Sequence, residues 1–357
     1  MIRLNGQQVT RLQTALLKIY LNRNAFNELL TRLNQSYEEL SIEGSTYKQN
    51  VLVAVKDAAA TGWLMPLIAA VRAEVPDDTE FQQIEQEFAM FAPPAGMDFF
   101  DMCRLSGGHV MIDRTELREA LRDINNPVGK RILIIKGNDK SGKSHSVQLI
   151  SYVYQMQGAF TLVTVDLEDR KRLSGSTKPV DPLYLADRIE AQLPGDFNLP
   201  DPPRDAQWAN WVIKFCDTFQ KYGLRNLDTH WIVIDSFNNV PLEQAAFDLV
   251  KELARRINVT LTNFRLVLIG YTESLPSTVL PIVAEDTIIP IDENHLIEFF
   301  YVAYKQSRKD PDEEAVFESV QRLFDQVQPG EPDFLERLGP LASEELAKVL
   351  ARGGANG

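Results

Sequence analysis

The sequence predicts an α/β protein whose parallel sheet carries helices on both faces. A small all-α bundle precedes the sheet and a short helical extension follows it. Three observations carry this. Between about residues 130 and 290, short apolar runs of strand type alternate with helical stretches, the pattern of a parallel sheet covered on both sides. One of these strand-to-helix junctions reads Gly137-Asn138-Asp139-Lys140-Ser141-Gly142-Lys143-Ser144. Residues 5 to about 90 instead place apolar side chains three and four apart, with almost no strand signal.

In the first region, Val9, Leu12, Leu16 and Ile19 share one helical face, as do Phe26, Leu29, Leu30 and Leu33. Ser45 is placed to cap a helix bearing Tyr47, Val51, Ala54, Val55 and Ala58. Leu64, Leu67, Ile68 and Val71 form a fourth stripe that ends before Pro76, and Asp77 and Asp78 open a last helix through Phe81, Ile84 and Phe88. Five or six short helices with polar joints follow, enough for a compact bundle. Phe91-Ala92-Pro93-Pro94-Ala95-Gly96 cannot continue a helix and reads as a linker.

Beyond it, four buried-strand runs stand out: Arg131–Lys136, Thr161–Val165, Trp231–Ile234 and Arg265–Ile269, with a fifth candidate at Thr287–Ile291. Ser144–Gln157 and Leu242–Asn258 are among the helices between them. From Glu293 to Arg352 the pattern is helical again, through Leu335, Leu338, Leu341, Leu346 and Leu350, and Gly353–Gly357 reads as a disordered tail. The expected division is therefore a helical domain over 1–90, a linker over 91–108, an α/β domain over 109–292 and a lid or extension over 293–352.

The chain has 357 residues and a formal charge of −13, long enough for about two domains of roughly 150 residues. Excess acid disfavours nucleic acid as the main partner, because phosphate backbones are held by Lys and Arg. Residues 1–93 account for only −3 of the charge, so −10 falls on the α/β half, and any attraction for phosphate there must be local. Cys103 and Cys216 are the only cysteines, which excludes a disulfide scaffold or a cysteine zinc motif. The start lacks a signal-peptide core, and the apolar stretch Val51–Val71 is broken by Lys56, Asp57, Trp63 and Pro66. A reduced, soluble, cytoplasmic protein with no membrane association is expected.

Residues 137–144 complete the pattern Gly-x-x-x-x-Gly-Lys-Ser. A strand ends in a loop whose backbone N–H groups turn inward on an anion, the glycines permit the dihedrals, and the next helix aims its N-terminus at the charge. Lys143 is expected to reach the β- and γ-phosphates and the Ser144 hydroxyl to ligate Mg²⁺, with His145 packing beside the nucleotide. Asp235 ends an apolar strand, as the acid that holds Mg²⁺ through water must. Ser236, Phe237, Asn238 and Asn239 follow it, so the second acid that polarises water in many such enzymes is absent there. Asp166, Glu168 and Asp169 cluster after the second strand, and Glu168 is the best replacement base. Binding is thus better supported than hydrolysis, and any hydrolysis is expected to be slow. No guanine-reading Asn-Lys-x-Asp stands at a suitable strand end, which favours ATP.

Arg255, Arg256 and Arg265 are candidate arginine fingers, each also readable as a surface or helix-end charge. The Arg170-Lys171-Arg172 run, with Lys178, reads as a solvated loop. His109, His230 and His295 lack metal-ligand spacing, and Trp208 and Trp211 are expected to pack a helix onto the core.

The N-terminal bundle resembles the effector-associated domains of bacterial conflict systems, death-like adaptor modules fused to effectors and NTPases. Leu12–Leu17, Phe26–Leu30 and Ala60-Thr61-Gly62-Trp63-Leu64-Met65-Pro66-Leu67-Ile68 carry the resemblance. The remainder resembles STAND or AAA-like P-loop NTPase domains, through Phe99–Cys103 onward to Gly108, the segment Val110-Met111-Ile112-Asp113-Arg114-Thr115-Glu116-Leu117 and the 137–144 loop. The 110–117 segment matches a hydrophobic-hydrophobic-Gly-Arg-x-x-x-Leu element that packs near adenine in those families, with Asp113 in place of the glycine. The resemblance implies a nucleotide-controlled switch whose helical module recruits an effector or adaptor bearing a like module, with homo-oligomerisation compatible. It also admits a constitutive adaptor that holds its nucleotide structurally. Typical members carry long C-terminal sensor repeats; here the trigger is expected to come from another molecule.

Overall fold

The computed structural model describes residues 6–352 apart from 34, 41–43, 62, 90–97, 106–108, 139–140, 158–159, 176–177, 196, 204–206, 308 and 332. The linker at 91–96, the loop residues Asp139 and Lys140, Gly62, Gly108 and the tail lie outside the described residues.

The N-terminal region is helical throughout its described residues: α1 (Gly6–Ile19), α2 (Arg23–Arg32), α3 (Tyr37–Leu40), α4 (Tyr47–Thr61), α5 (Leu64–Glu74) and α6 (Thr79–Ala89). The stripes anticipated from spacing close one core, with Leu12, Leu16, Phe26, Leu29, Val51, Ala54, Leu64, Ile68, Phe81 and Phe88 fully or almost fully buried. Each buried Leu, Ile, Val or Phe of this set contributes about 1.5–3 kcal/mol. The cap of α4 is one residue later than expected. Thr46 Oγ1 accepts from the Gln49 N–H while Gln49 Oε1 accepts from the Thr46 N–H, a reciprocal capping box. Ser45 bonds Asn50 instead.

The α/β region runs α7 (Thr115–Asn125), β1 (Ile132–Lys136), α8 (His145–Gln157), β2 (Thr161–Asp166), α9 (Asp169–Ser174), α10 (Pro182–Glu190), α11 (Trp208–Arg225), β3 (His230–Asp235), α12 (Gln244–Val259), β4 (Phe264–Ile269) and β5 (Val283–Thr287). All neighbours in the sheet β2-β3-β4-β1-β5 are parallel. Alternation along each strand splits the core in two. Ile132, Ile134, Ile232, Ile234, Leu266 and Leu268 meet α10, α11 and α12 on one face, with Trp211 and Phe215. Leu133, Ile135, Trp231, Val233, Val267 and Ile269 meet α7 and α8 on the other.

The fifth strand is Val283–Thr287 rather than 287–291. Its edge position lets Glu285 and Asp286 stand in a strand that apolar content alone does not reveal, whereas Pro290 lacks the N–H that a ladder needs. Residues 169–174 form α9 rather than a solvated loop: Arg170 pairs with Asp181 and stacks on Tyr184.

The extension comprises α13 (Glu293–Gln306), α14 (Glu313–Gln326) and α15 (Phe334–Arg352), with its own core of Leu296, Phe300, Tyr304, Val316, Val320, Leu323, Leu338 and Leu346. Residues 99–112 tie it to the sheet. Phe100, Met102, Leu105 and Met111 enter the sheet core, while Cys103, Val110 and Ile112 enter the extension core. Among the described residues no helix is long and apolar enough to cross a membrane.

Candidate functional site

Parallel strands send their carboxyl ends to one edge, where open α/β sheets bind ligands. Three of those ends converge here. β1 delivers the 137–145 loop, β3 delivers Asp235, and β2 delivers Asp166 and Glu168, with Asp166 in register with Asp235.

The loop turns back through hydrogen bonds from Ser141 N to Asn138 O (3.2 Å) and from His145 N to Gly142 O (3.0 Å). Gly142 has φ +82 and lies so close to α15 that a Cβ would sit 3.0 Å from Leu335 Cδ1, so glycine serves both dihedral and space. A Cβ on Gly137 would sit 2.5 Å from Ser141 Oγ. The buried Lys143 Nζ donates to Gly137 O (2.9 Å) and Asn138 O (2.5 Å), folded along its own loop. Ser144, whose side chain is exposed, hydrogen-bonds the Asp235 carboxyl group. Asp235 itself is 8 % exposed. Burial pushes its carboxyl group up from the ordinary range, Ser144 and the Ser236 N–H pull it back, and the charges of Asp166 and Glu168 push it up further.

Ser141–His145, Glu168 and Asp235 thus line one cleft of about 610 Å³, with Asn238, Asn239, Leu335 and Glu336. Asn238 and Asn239 stand three and four residues after Asp235, so the strand end itself is their signal. Leu335 and Glu336 belong to α15, and no local pattern announces them. A second, narrow apolar pocket adjoins the cleft at Ser141, Gly142 and His145, lined by Val110–Arg114, Ile288, Ile289, Ile291, Leu335 and Leu338. Burial lowers the His145 ring from its ordinary value, with His109 and Arg114 adding to the shift.

The 110–114 segment is fixed by backbone and charge. Asp113 and Arg114 both have positive φ, +56 and +74, a region where Asp is tolerated better than most non-glycine residues. This accounts for an Asp at the position where the resembled element has glycine. Asp113 Oδ2 lies 3.8 Å from His295 Nε2 at the start of α13. Arg114 Nη2 contacts Asp286 on β5 (2.5 Å) and Ser146 on α8 (3.0 Å).

Other candidates fall elsewhere. Arg265 is buried at the opposite, amino end of the sheet and donates to the Ile124, Thr262 and Phe264 carbonyls. Arg255 and Arg256 pair with Glu252 and Asp217. His230 stacks on Phe264 and bonds Asp228 O. Among the described residues, no group of three or more His, Cys, Asp or Glu is placed to hold a metal alone.

Strand order, loop and strand-end acid together define a P-loop NTPase fold, preceded by a helical bundle. Residues 2–89 match the family model for effector-associated domain 1, so the chain joins an effector-associated domain to a P-loop NTPase fold. No curated protein matches. Solved structures that resemble it include a Walker-type ATPase of Pyrococcus abyssi (15% identity, 72% of this chain and 78% of that chain, TM-score 0.36). Another is domain III of the replication initiation protein DnaA of Thermotoga maritima (14%, 73% and 90%, TM-score 0.34). A third is the ORC1 protein of Aeropyrum pernix in complex with DNA (17%, 68% and 66%, TM-score 0.41). Likenesses this distant bear on neither ligand nor partner; the fold assignment rests on the chain's own topology and loop.

Proposed function

We propose that this chain is an ATP- and Mg²⁺-binding switch of a prokaryotic defence or signalling system, whose effector-associated domain recruits a protein carrying a similar helical module. One observation carries the reading. The phosphate cleft and the apolar pocket meet at Ser141, Gly142 and His145, and the first turns of α15 wall both. A nucleotide with its phosphates in the cleft and an apolar-faced base in the pocket touches the loop and the extension at once, so its occupancy biases how the two sit together.

The residues present fit the group. Ser144 and Asp235 form a pair of hard oxygen donors, which suits Mg²⁺ held by one or two protein ligands plus phosphate oxygens. Ser141 Oγ is buried with no hydrogen-bond partner among the described residues, in a loop whose glycines keep side chains out of the cradle. When bound, the metal supplies charge neutralisation for the phosphates. The chain's part is to orient them: Lys143, which here donates to the Gly137 and Asn138 carbonyls, would turn from its own loop to the anion, and Val110–Ile112 with Ile288 would exclude water from the base.

Titration of the full chain with a fluorescent ATP analogue tests this. Lys143→Ala should weaken affinity at least about tenfold, because a charge-assisted contact contributes about 1.5–3 kcal/mol; unchanged affinity refutes the nucleotide reading. Recruitment is read by capture of partners with and without ATP, and equal capture in both states favours a second reading, a constitutive adaptor with structurally held nucleotide. Ser236 at the position after Asp235 speaks for that alternative, since a serine cannot act there as a carboxylate base.

A further inference from the structure

The ends of β2 and β3 are joined by a continuous set of polar contacts that starts at the Ser144–Asp235 pair and runs beyond what the nucleotide reading uses. Ser144 bonds Asp235, and the Ser236 N–H donates to Asp235 Oδ1 (2.6 Å). Ser236 Oγ donates to Asp166 Oδ1 (2.8 Å), which also accepts from the Glu168 N–H (3.0 Å). Arg172 then closes the set from α9: Nη1 lies 3.1 Å from Asp166 Oδ2 and Nη2 lies 2.6 Å from Glu168 Oε2. One guanidinium thus spans the last residue of β2 and the acid that faces the cleft.

The backbone is held out of its preferred state at the centre of this set. Ser236 has φ +73, a left-handed conformation that costs a non-glycine residue roughly 1–2 kcal/mol. Its two hydrogen bonds, to Asp235 and to Asp166, offset that cost. Strain of this kind persists where the surroundings over-determine it, and it clusters at functional sites. Here its effect is to turn the Ser236 hydroxyl toward β2, so that Asp166 and with it Glu168 are fixed relative to Asp235.

A glutamate side chain on a rim is otherwise mobile, and ordering it costs up to about 1.5–2 kcal/mol of rotamer entropy. The Glu168 side chain is 29 % exposed and that of Arg172 60 %. The fork of Arg172 occupies Oε2 of a glutamate that lines the cleft.

We propose that Arg172 is a positioning residue for ATP hydrolysis, holding Glu168 as the general base that Asp235 is not followed by. The inference rests on the nucleotide reading above. In the step it serves, the water oxygen forms a bond to the γ-phosphorus. The bond from that phosphorus to the β–γ bridging oxygen breaks, its electron pair leaving with the diphosphate, and one water proton passes to the Glu168 carboxylate. Because Arg172 sits on the short, outward-facing α9, a partner that draws this arginine away disarms the base without touching the phosphate loop.

Steady-state ATP hydrolysis by the full chain with Mg²⁺, alongside titration with a non-hydrolysable fluorescent ATP analogue, tests the proposal. Glu168→Gln should lower kcat about 100-fold, the lower range for loss of a general base. Arg172→Ala should lower kcat about tenfold or more while Kd for the analogue stays within about twofold and the melting temperature is unchanged. Arg172→Lys, which offers one point charge in place of the fork, should recover only part of the loss. The double variant Arg172→Ala/Glu168→Gln should be no slower than Glu168→Gln alone, because the arginine acts only through the glutamate. Additive losses, an unchanged or raised kcat in Arg172→Ala, or a wild-type chain that binds the analogue and hydrolyses no ATP each overturn it. A wild-type chain that fails to bind the analogue overturns the nucleotide reading itself, and this inference with it.

Discussion

Asp286→Asn is the most telling perturbation of the fold around the site. Asp286 and Arg114 form a contact of 2.5 Å with side-chain exposures of 3 % and 9 %. Burial pulls the guanidinium below its ordinary value while the facing carboxylate holds it charged. Among the described residues Arg114 Nε is buried without a hydrogen-bond partner; Asp286 and the Ser146 hydroxyl hold the guanidinium by direct contact, and the charge of Asp113 adds to them. Replacing the carboxylate by an amide keeps the shape and one acceptor but leaves a buried charge unneutralised. Breaking one side of a buried pair costs about 3–5 kcal/mol, and the surviving Ser146 bond places this case near about 3.

With a urea slope of about 3 kcal/mol/M, the unfolding midpoint should fall by about 1 M. Intrinsic fluorescence is a suitable readout, because Trp231 is fully buried in β3 and stacked on Phe160 at 4.6 Å. Replacing both partners, Arg114→Met with Asp286→Leu, should recover most of the loss, since an apolar pair avoids the desolvation of two ions. A midpoint shift below about 0.3 M for Asp286→Asn, or a double variant no more stable than the single one, refutes this account of how the 110–114 segment is anchored.

Three other outcomes follow from the same geometry. Gly142→Ala forces an alanine to φ +82 and presses a Cβ toward Leu335; it should cost about 1–2 kcal/mol in thermal unfolding and weaken ATP-analogue binding, and an unshifted melt counts against the strain. His230 is fully buried, and burial lowers its ring below the ordinary value. The unfolded chain therefore takes up the proton first, and stability present above about pH 6.5 is lost as the pH falls toward the depressed folded value. His145, lowered in the same direction, adds to that slope; His230→Gln should flatten it between about pH 7 and 5, and an identical slope would sink the assignment. Lys143→Ala deletes the bonds to the Gly137 and Asn138 carbonyls, so it should lower the melting temperature of the ligand-free chain and also abolish its rise with ATP, because a ligand stabilises only the state that binds it.

What could be read from the sequence was local, and what could not was relational. Leu133/Ile134 and Trp231/Ile232 announce buried strands because both faces of a parallel strand are covered, and Gly137–Ser144 announces itself because loop chemistry leaves few residue choices. The fifth strand escaped for the same reason in reverse. Val283–Thr287 is an edge strand whose Asp286 is buried only because Arg114, 172 residues away, meets it there. No window along the chain contains that fact. Likewise Asp113 departs from the glycine of the element it resembles, and the backbone at φ +56 shows that the departure keeps the conformation and adds a carboxylate facing His295.

Glu168 shows where the two kinds of information meet. Its residue type and its place after β2 make Glu168 the best replacement base of the three acids that cluster there. The structure separates them by partner. Asp166 is held by Ser236 and Arg172 at the strand end, Asp169 lies 3.8 Å from the same arginine, and Glu168 is the acid that lines the cleft. The serine that weakened the case for hydrolysis when read beside Asp235 is, in three dimensions, the residue that fastens β2 to β3. On the proposal above, the missing acid after Asp235 and the extra acid after β2 are one arrangement. Substituting Ser236 by glycine should separate its two parts, since glycine keeps the φ +73 turn but deletes the bond to Asp166.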